Sequence, residues 1–249
     1  MNSLARSLIE KAGYDNGWEI VVESTPDQIV LASALHRAQA HITPAESGVW
    51  QVKLPPGLLA SELTRETGQS ASTERFTASN DHELGNLLNR AAKLARALPD
   101  APEVRYHREV ERELSKTETL HTEVERTVRQ RVGQDIFRQS LMDYWGGRCA
   151  VTGIDLPELL RASHIKPWSE CASDSERLNV FNGLLLAAHL DALFDTGLMT
   201  FDQNGAAIFS HRIDATIRQH LSLSPNLQIR RLTTEHLTFL RWHWEKYGY

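Results

Sequence analysis

Three segments between Arg148 and Gly197 decide the fold of this chain: RCAVTG at 148–153, LLRASHIKPW at 159–168 and FNGLLLAAHLDALFDTG at 181–197. The second segment and the start of the third are short and mostly apolar, as in paired β-strands. The end of the third places Leu190, Leu193 and Phe194 at the spacing of a buried helical stripe. The pattern predicts a hairpin followed by a short helix.

The same stretch holds side chains that suit hydrolysis of a phosphodiester. That reaction needs a base for the attacking water and a cation for the charge that develops on the phosphate. Neutral histidine suits the base role near neutral pH, and His164 is predicted at an exposed strand end. Asn182, near the start of the next strand, can orient the imidazole or its neighbouring backbone. The structural alternatives are a packed histidine and an Asn-Gly turn.

Acidic residues on the predicted helix are the candidate metal ligands. If the helix starts near residue 187, Asp191 and Asp195 stack one turn apart and His189 flanks the other side. If it begins only at Ala188, His189 lies in the first turn and could face the metal. Asp195 could instead close the helix by accepting backbone hydrogen bonds. Hard oxygen ligands favour Mg²⁺ or Mn²⁺, whereas a histidine-rich set would admit Zn²⁺ or Ni²⁺.

The formal net charge of −5 at pH 7 argues against a nonspecific polycationic coat for nucleic acid. DNA binding must therefore come from a local patch. Four cations near the motif are the candidate phosphate contacts: Arg148, Arg161, Lys166 and Arg177. Each could equally be a solvated surface charge. Lys166 follows His164 by two residues, which makes it the strongest of the four.

From about Arg131 to Phe209 the sequence resembles the HNH endonucleases, in particular the branch named for restriction endonucleases. The matching pieces are Gly133-Gln134 with Phe137-Arg138 and the three segments quoted above. Their order and the gaps between them also match. The resemblance implies a ββα unit around one metal ion and hydrolysis of DNA phosphodiesters. It also implies that His164 is the general base and Asn182 its orienting asparagine.

Two positions depart from the family pattern. The family takes one metal ligand from the residue before the base histidine, which is Ser163 here. It takes another from a histidine nine positions after the asparagine, which is Asp191 here. Relatives with structural zinc carry a CxxC pair where this chain has Cys149 and Thr152, so the resemblance implies no structural zinc site.

At 249 residues with 41% apolar composition, the chain is long enough for two domains with real cores. We expect an α+β chain: an α+β domain at 1–100, a solvated helical connector at 101–130 and the nuclease domain with extra helices at 131–249. The first domain is expected to have about three strands and to serve targeting, regulation or dimerisation. The aromatic tail from Trp242 is expected to pack on the nuclease domain, with a nucleic-acid platform as the alternative.

The two cysteines form no CxxC pair and suit a reducing compartment. The N-terminus lacks the apolar core of a signal peptide, and no run is long enough to span a membrane. These features predict a cytoplasmic protein.

The leading hypothesis is a metal-dependent DNA endonuclease in restriction of foreign DNA. A homodimer is expected, because one site attacks one strand. One alternative is an HNH-like module that has lost a ligand and only binds DNA or a protein partner. Another is a structure-selective or RNA-directed nuclease.

Overall fold

A computed structural model describes residues 1–45, 48–69, 75–116 and 122–249 of the chain. The chain divides into two compact units, Met1–Ala101 and Pro102–Tyr249. Each unit buries apolar side chains and combines helices with antiparallel strands. The prediction of an α+β chain is therefore confirmed.

The described residues of the first unit form a five-stranded antiparallel sheet and three helices. The strands pair in chain order: β1 (Ile20–Ser24), β2 (Ile29–Ala32), β3 (Ala40–Pro44), β4 (Trp50–Lys53) and β5 (Arg75–Ala78). The helices are α1 (Ser3–Asp15), α2 (Leu58–Thr67) and α3 (Asp81–Ala97). Asn80 caps α3, because its side chain accepts a hydrogen bond from the backbone N–H of Glu83.

One face of this sheet is apolar and fully buried. Ile42, Val52 and Phe76 are cross-strand partners in β3, β4 and β5, and each is 0% exposed. Burying side chains of this size stabilises a fold by roughly 1.5–3 kcal/mol each. Trp18 joins this core to α3, since its indole N–H donates to the carbonyl oxygen of Leu88 at 2.8 Å.

The sheet has more strands than the three predicted. The apolar stretch from 29 to 43 forms two strands, because its middle turns back on a carboxylate: Glu19 Oε1 accepts hydrogen bonds from Ala34 N at 2.7 Å and Ser33 Oγ at 3.2 Å. Residues 75–78 form β5. Residues 70–74, which precede it, lie outside the described residues. The pairing of β5 with β4 is long-range, so local propensity does not reveal it.

The second unit is built around a ββα arrangement. Its helices are α4 (Ala101–Leu114, whose first residue belongs to the first unit), α5 (Thr122–Tyr144), α6 (Asp174–Arg177), α7 (Ala188–Asp195), α8 (Ala215–His220) and α9 (Thr234–Tyr247). Its strands form two antiparallel pairs, β6 (Leu160–His164) with β7 (Gly183–Ala187) and β8 (Met199–Phe201) with β9 (Ala207–Phe209). The hairpin β6–β7 and the following helix α7 are the elements that the three sequence segments predict.

The stretch 101–130, expected as a solvated connector, supplies α4 and the start of α5. Two α4 side chains are buried, Tyr106 at 2% and Val110 at 3% exposure. They are four residues apart, so they share one face of the helix. The sparse apolar residues of α4 therefore belong to the core of the second unit. Residues 117–121 lie outside the described part of the chain.

Among the described residues, no helix has the length and apolar character needed to cross a membrane.

Candidate active site

The hairpin β6–β7 and helix α7 bring several predicted site residues together. β6 ends at His164, which pairs with Gly183 at the start of β7, and Ser163 pairs with Leu184. α7 follows β7 directly and contacts β6. The helix therefore carries its acidic side chains to the strand end that holds His164.

His164 is held as a neutral imidazole. Its Nε2 lies 2.9 Å from the carbonyl oxygen of Arg177, and a carbonyl can only accept, so Nε2 carries the proton and Nδ1 a lone pair. The ring stacks on Phe137 with centroids 3.6 Å apart, and the edge of Trp168 closes another side. Burial lowers the pKa of His164 to about 4, against a smaller opposing effect of the hydrogen bond to Arg177. Nδ1 is therefore free to accept a proton at neutral pH.

Gly183 allows this stacking. A Cβ at position 183 would lie 2.5 Å from Phe137 Cζ, closer than real Cβ atoms approach other atoms. Any side chain there would push Phe137 off the imidazole. Gly183 therefore begins strand β7 next to a close packing contact, directly after Asn182, and the alternative of an Asn-Gly hairpin turn does not apply.

Asn182 is fully buried and holds the loop that follows β6. Its Oδ1 accepts from Lys166 N at 2.8 Å, and its Nδ2 donates to Lys166 O at 3.1 Å and Glu176 O at 3.2 Å. The residue after Glu176 supplies the carbonyl that binds the imidazole. Asn182 thus positions His164 through the backbone at both ends of the loop.

Asp191 and Asp195 lie one turn apart on α7 and meet at Ser163. Ser163, only 2% exposed, donates from Oγ to Asp195 Oδ1 at 3.3 Å, and its side chain also lies near Asp191. Burial raises the pKa of the Asp191 carboxyl. Burial also raises the pKa of Asp195, and the negative charge of Asp191 raises it further. Two carboxylates that repel each other and are both partly desolvated form an arrangement that a cation would stabilise.

His189 is not part of this cluster. It is exposed, and two residues of helix rotate it by about 200° from Asp191. Within the described ranges, no three His, Cys, Asp or Glu side chains are grouped closely enough to hold a metal ion. The donor set is thus two carboxylates with a hydroxyl beside them. Such a set fits Mg²⁺ or Mn²⁺, because Mg²⁺ is commonly bound by one or two carboxylates and keeps several waters.

The four predicted phosphate contacts already have protein partners. Lys166 forms an ion pair with Glu176 at 2.7 Å, and Arg148 lies 3.4 Å from Asp155. Arg177 binds Asp174 and the carbonyl oxygens of Trp168 and Cys171, so it supports the loop that carries the His164 acceptor. Arg161 donates to the carbonyl oxygens of Glu158 and Leu160.

Helix α9 contributes residues that the motif pattern did not indicate. A cavity of about 310 Å³ is lined by His164 and Asp195 together with Trp242, His243 and Tyr247. His243 Nε2 donates to Phe194 O at 3.1 Å, and the Tyr247 hydroxyl donates to Asp195 O at 2.6 Å. Tyr249 adds a hydrogen bond to Gly197 O at 2.8 Å. The i, i+4 spacing of His243 and Tyr247 was the available signal, since it places both on one helix face.

These donors satisfy carbonyl oxygens at the end of α7, which have no partner within the helix. The histidine is itself fixed, because Thr200 Oγ1 lies 3.0 Å from its Nδ1 and its ring stacks on Phe194. The end of α7 that carries Asp195 is therefore held by side chains from α9. The tail was expected to pack on this unit, and these contacts show how it does so.

Residues 149–202 match a family model described as HNH endonuclease. The match covers the hairpin β6–β7, helix α7 and the residues His164, Asn182, Asp191 and Asp195. A search of curated proteins found no match. Nucleases of this family act on DNA and generally use one divalent metal ion. Residues 149–202 are therefore similar to HNH endonucleases, which supports the resemblance found in the sequence.

Proposed function

We propose that the protein is a metal-dependent DNA endonuclease. One observation supports this most strongly: His164, with its lone pair on Nδ1, lies in the same cavity as Asp195, next to the carboxylate pair that meets at Ser163. His164 Nδ1 accepts a proton from water, and the water oxygen attacks the phosphorus of the scissile phosphodiester while the bond to the 3′ oxygen breaks.

Asp191 and Asp195 would hold the divalent ion, Mg²⁺ or Mn²⁺. When bound, the ion would neutralise charge on the phosphate and on the leaving oxygen. Ser163 lies beside both carboxylates and donates a hydrogen bond to Asp195. Asn182 keeps the loop closed so that the Arg177 carbonyl orients the imidazole. Proton transfer thus depends on residues from β6, β7 and the loop between them.

We place this activity in the restriction of foreign DNA, in the cytoplasm, with the first unit selecting the DNA or regulating access. A homodimer would give each duplex strand its own site. Both buried cysteines, Cys149 and Cys171, are free thiols, which suits a reducing compartment.

A second candidate is a binding module without catalysis. Ser163 stands where the family supplies a metal ligand, and the donor set has only two carboxylates. This candidate predicts DNA retention in a gel shift without divalent-dependent cleavage.

Incubation with supercoiled plasmid separates the two candidates. We expect the purified chain to convert the plasmid to nicked or linear forms in Mg²⁺ or Mn²⁺ and not in excess EDTA. Protein purified in parallel with His164 replaced controls for contaminating nucleases. Plasmid that stays supercoiled at every metal concentration, while still shifting in a gel, would favour the binding module.

Replacing Tyr247 with phenylalanine is expected to weaken Mn²⁺ binding about fivefold. The change removes one hydrogen bond to the Asp195 backbone, and such a bond contributes about 1 kcal/mol. Isothermal titration with Mn²⁺ measures the effect without DNA. Tyr249→Phe is the matched control, since it removes a similar bond at Gly197, two residues further from the carboxylate. Equal Mn²⁺ affinity for both variants and wild type would contradict a role for Tyr247 in positioning Asp195.

A further inference from the structure

On strands β3, β4 and β5, the face of the first unit's sheet opposite its core carries a row of basic side chains. Towards the other edge the same row continues through Val30, which is buried, to Glu23. Strand register places His41 opposite Lys53 and Lys53 opposite Arg75. Cross-strand partners project from the same face, and alternate residues project from the other. The neighbouring row, Ile42, Val52 and Phe76, is fully buried, so the basic row lies on the opposite side of the sheet from the core.

The cations of this face lack counter-ions among the described residues, unlike several cations on the helices of the same unit. Lys11 pairs with Asp15 on α1, and Arg65 pairs with Glu62 on α2. No ion pair joins Lys53 or Arg75 to a described acidic residue, and both are exposed. Like charges directly opposite one another on adjacent strands are destabilising. A positive row without a counter-ion therefore indicates a surface that an anionic partner would neutralise.

One further cation, Arg37, extends the row. A cavity of about 330 Å³ is lined by Arg37, His41 and Lys53, with Pro55 and Pro56 forming part of its wall. Arg37 is exposed and adds a positive charge beside His41. At the other end, Arg75 donates from Nη1 to Gln51 Oε1 at 3.2 Å, which orients the guanidinium on this face.

We propose that this face, the basic row His41, Lys53 and Arg75 together with Arg37, binds the phosphate backbone of duplex DNA. The proposal rests on the endonuclease function of the second unit, which makes DNA the polyanion that the chain must hold. Adjacent strands lie about 4.8 Å apart, so the row spans about 10 Å. One DNA strand rises about 3.4 Å per phosphate, so this length matches about three phosphates.

The chemistry of the face fits backbone contacts more than base readout. A neutral row runs beside the basic one, formed by the cross-strand partners Thr43, Gln51 and Thr77. Hydroxyls and amides of this kind commonly bind phosphate and sugar oxygens. A strand surface of this composition would contact the backbone of the duplex and not its bases. Local positive charge of this kind also allows a chain with net charge −5 to bind DNA.

Fluorescence anisotropy with a labelled duplex tests the proposal on the full chain, in EDTA so that no cleavage occurs. Lys53→Gln with Arg75→Gln should raise the Kd at least about tenfold at 0.1 M salt, since two phosphate contacts are lost. The slope of log K against log salt should become shallower by about 2. The control is Arg6→Gln with Lys93→Gln, which removes the same charge from α1 and α3 of the same unit. Its Kd and slope should match those of wild type.

Circular dichroism melting of both double variants confirms that each remains folded. A Lys53/Arg75 variant with the wild-type Kd and salt slope overturns the proposal, as does an equal loss in the control pair or a wild-type chain that does not bind duplex. Plasmid cleavage by the same proteins separates this result from the proposed function. If the chain cleaves plasmid but the Lys53/Arg75 variant binds duplex as wild type does, only the proposed DNA-binding face is contradicted. If the variant loses duplex binding but wild type does not cleave plasmid, only the proposed nuclease function is contradicted.

Discussion

Replacing His164 with alanine is expected to lower the rate of DNA cleavage by roughly 10²- to 10⁴-fold, the range typical of a lost general base. The variant has no group that can take the proton from water at the position of Nδ1. Asp191 and Asp195 remain, so Mn²⁺ binding should change little. Loss of cleavage with retained metal binding would identify His164 as the base.

Single-turnover cleavage of a labelled duplex measures this effect. His220→Ala is the control, because His220 is an exposed histidine on α8 of the same unit. Since alanine also removes the ring that stacks on Phe137, His164→Gln should be compared to retain more of the packing. Cleavage at the wild-type rate by either folded His164 variant would rule out the base assignment.

The pH profile provides an independent check on the same residue. An ordinary histidine protonates near pH 6.5, so a base with that pKa would lose activity below pH 6.5. Burial lowers the pKa of His164 to about 4, so it remains unprotonated at pH 5.5. The pKa of His164 is lower in the folded than in the unfolded chain, so protonation of this residue favours unfolding. Its contribution to the free energy of unfolding is therefore complete above pH 6.5 and is lost as the pH falls toward 4.

Asp191→Asn is expected to have the second large effect. It should lower the affinity for the divalent ion and raise the stability of the metal-free protein. Divalent affinity should fall by more than about 100-fold, since changes outside the ligand set alone cost 10- to 100-fold. Cleavage should fall with it. The metal-free protein should become more stable at pH 7. Burial raises the pKa of this carboxyl above its unfolded value, so its ionised form weakens the fold as the pH rises.

Thermal melting with and without Mn²⁺ reports both effects. Wild type should gain stability when Mn²⁺ is added, and Asp191→Asn should start from a higher melting temperature and gain little. Asp195→Asn should behave similarly, since the charge of Asp191 also raises the pKa of Asp195. His189→Gln is the informative comparison on the same helix. A larger loss of metal affinity in His189→Gln than in Asp191→Asn would mean that His189, and not Asp191, is the metal ligand.

The local pattern of the chain predicted a hairpin followed by a short helix, and the resemblance to HNH endonucleases implied that they form a ββα unit. Strand β6, strand β7 and helix α7 follow one another closely, so their periodicity and the position of Asn182 predict their order and pairing. Asp191 and Asp195 could be placed on one face from their spacing alone. His189 was harder to place, because the choice depended on where the helix began and on which side faced the hairpin.

Several properties depend on contacts between distant parts of the chain. The tautomer and low pKa of His164 come from a carbonyl at Arg177 and a ring at Phe137, and the end of α7 is held by donors from α9. No short window of sequence contains both partners of these contacts. The same holds for the number of strands, since β5 joins the sheet through long-range pairing.

The sequence by itself therefore determined the α+β class, the hairpin with its short helix and the residue types of the proposed site, because short-range periodicity and spacing encode them. The resemblance to HNH endonucleases added the expectation of a ββα unit. Only the tertiary structure decided which side chains surround those residues and which cations lie side by side. His41, Lys53 and Arg75 come from three separate strands and form no basic run in the sequence. They become neighbours because antiparallel pairing aligns residues that are distant along the chain, and it is this register that creates a positive surface on an acidic protein.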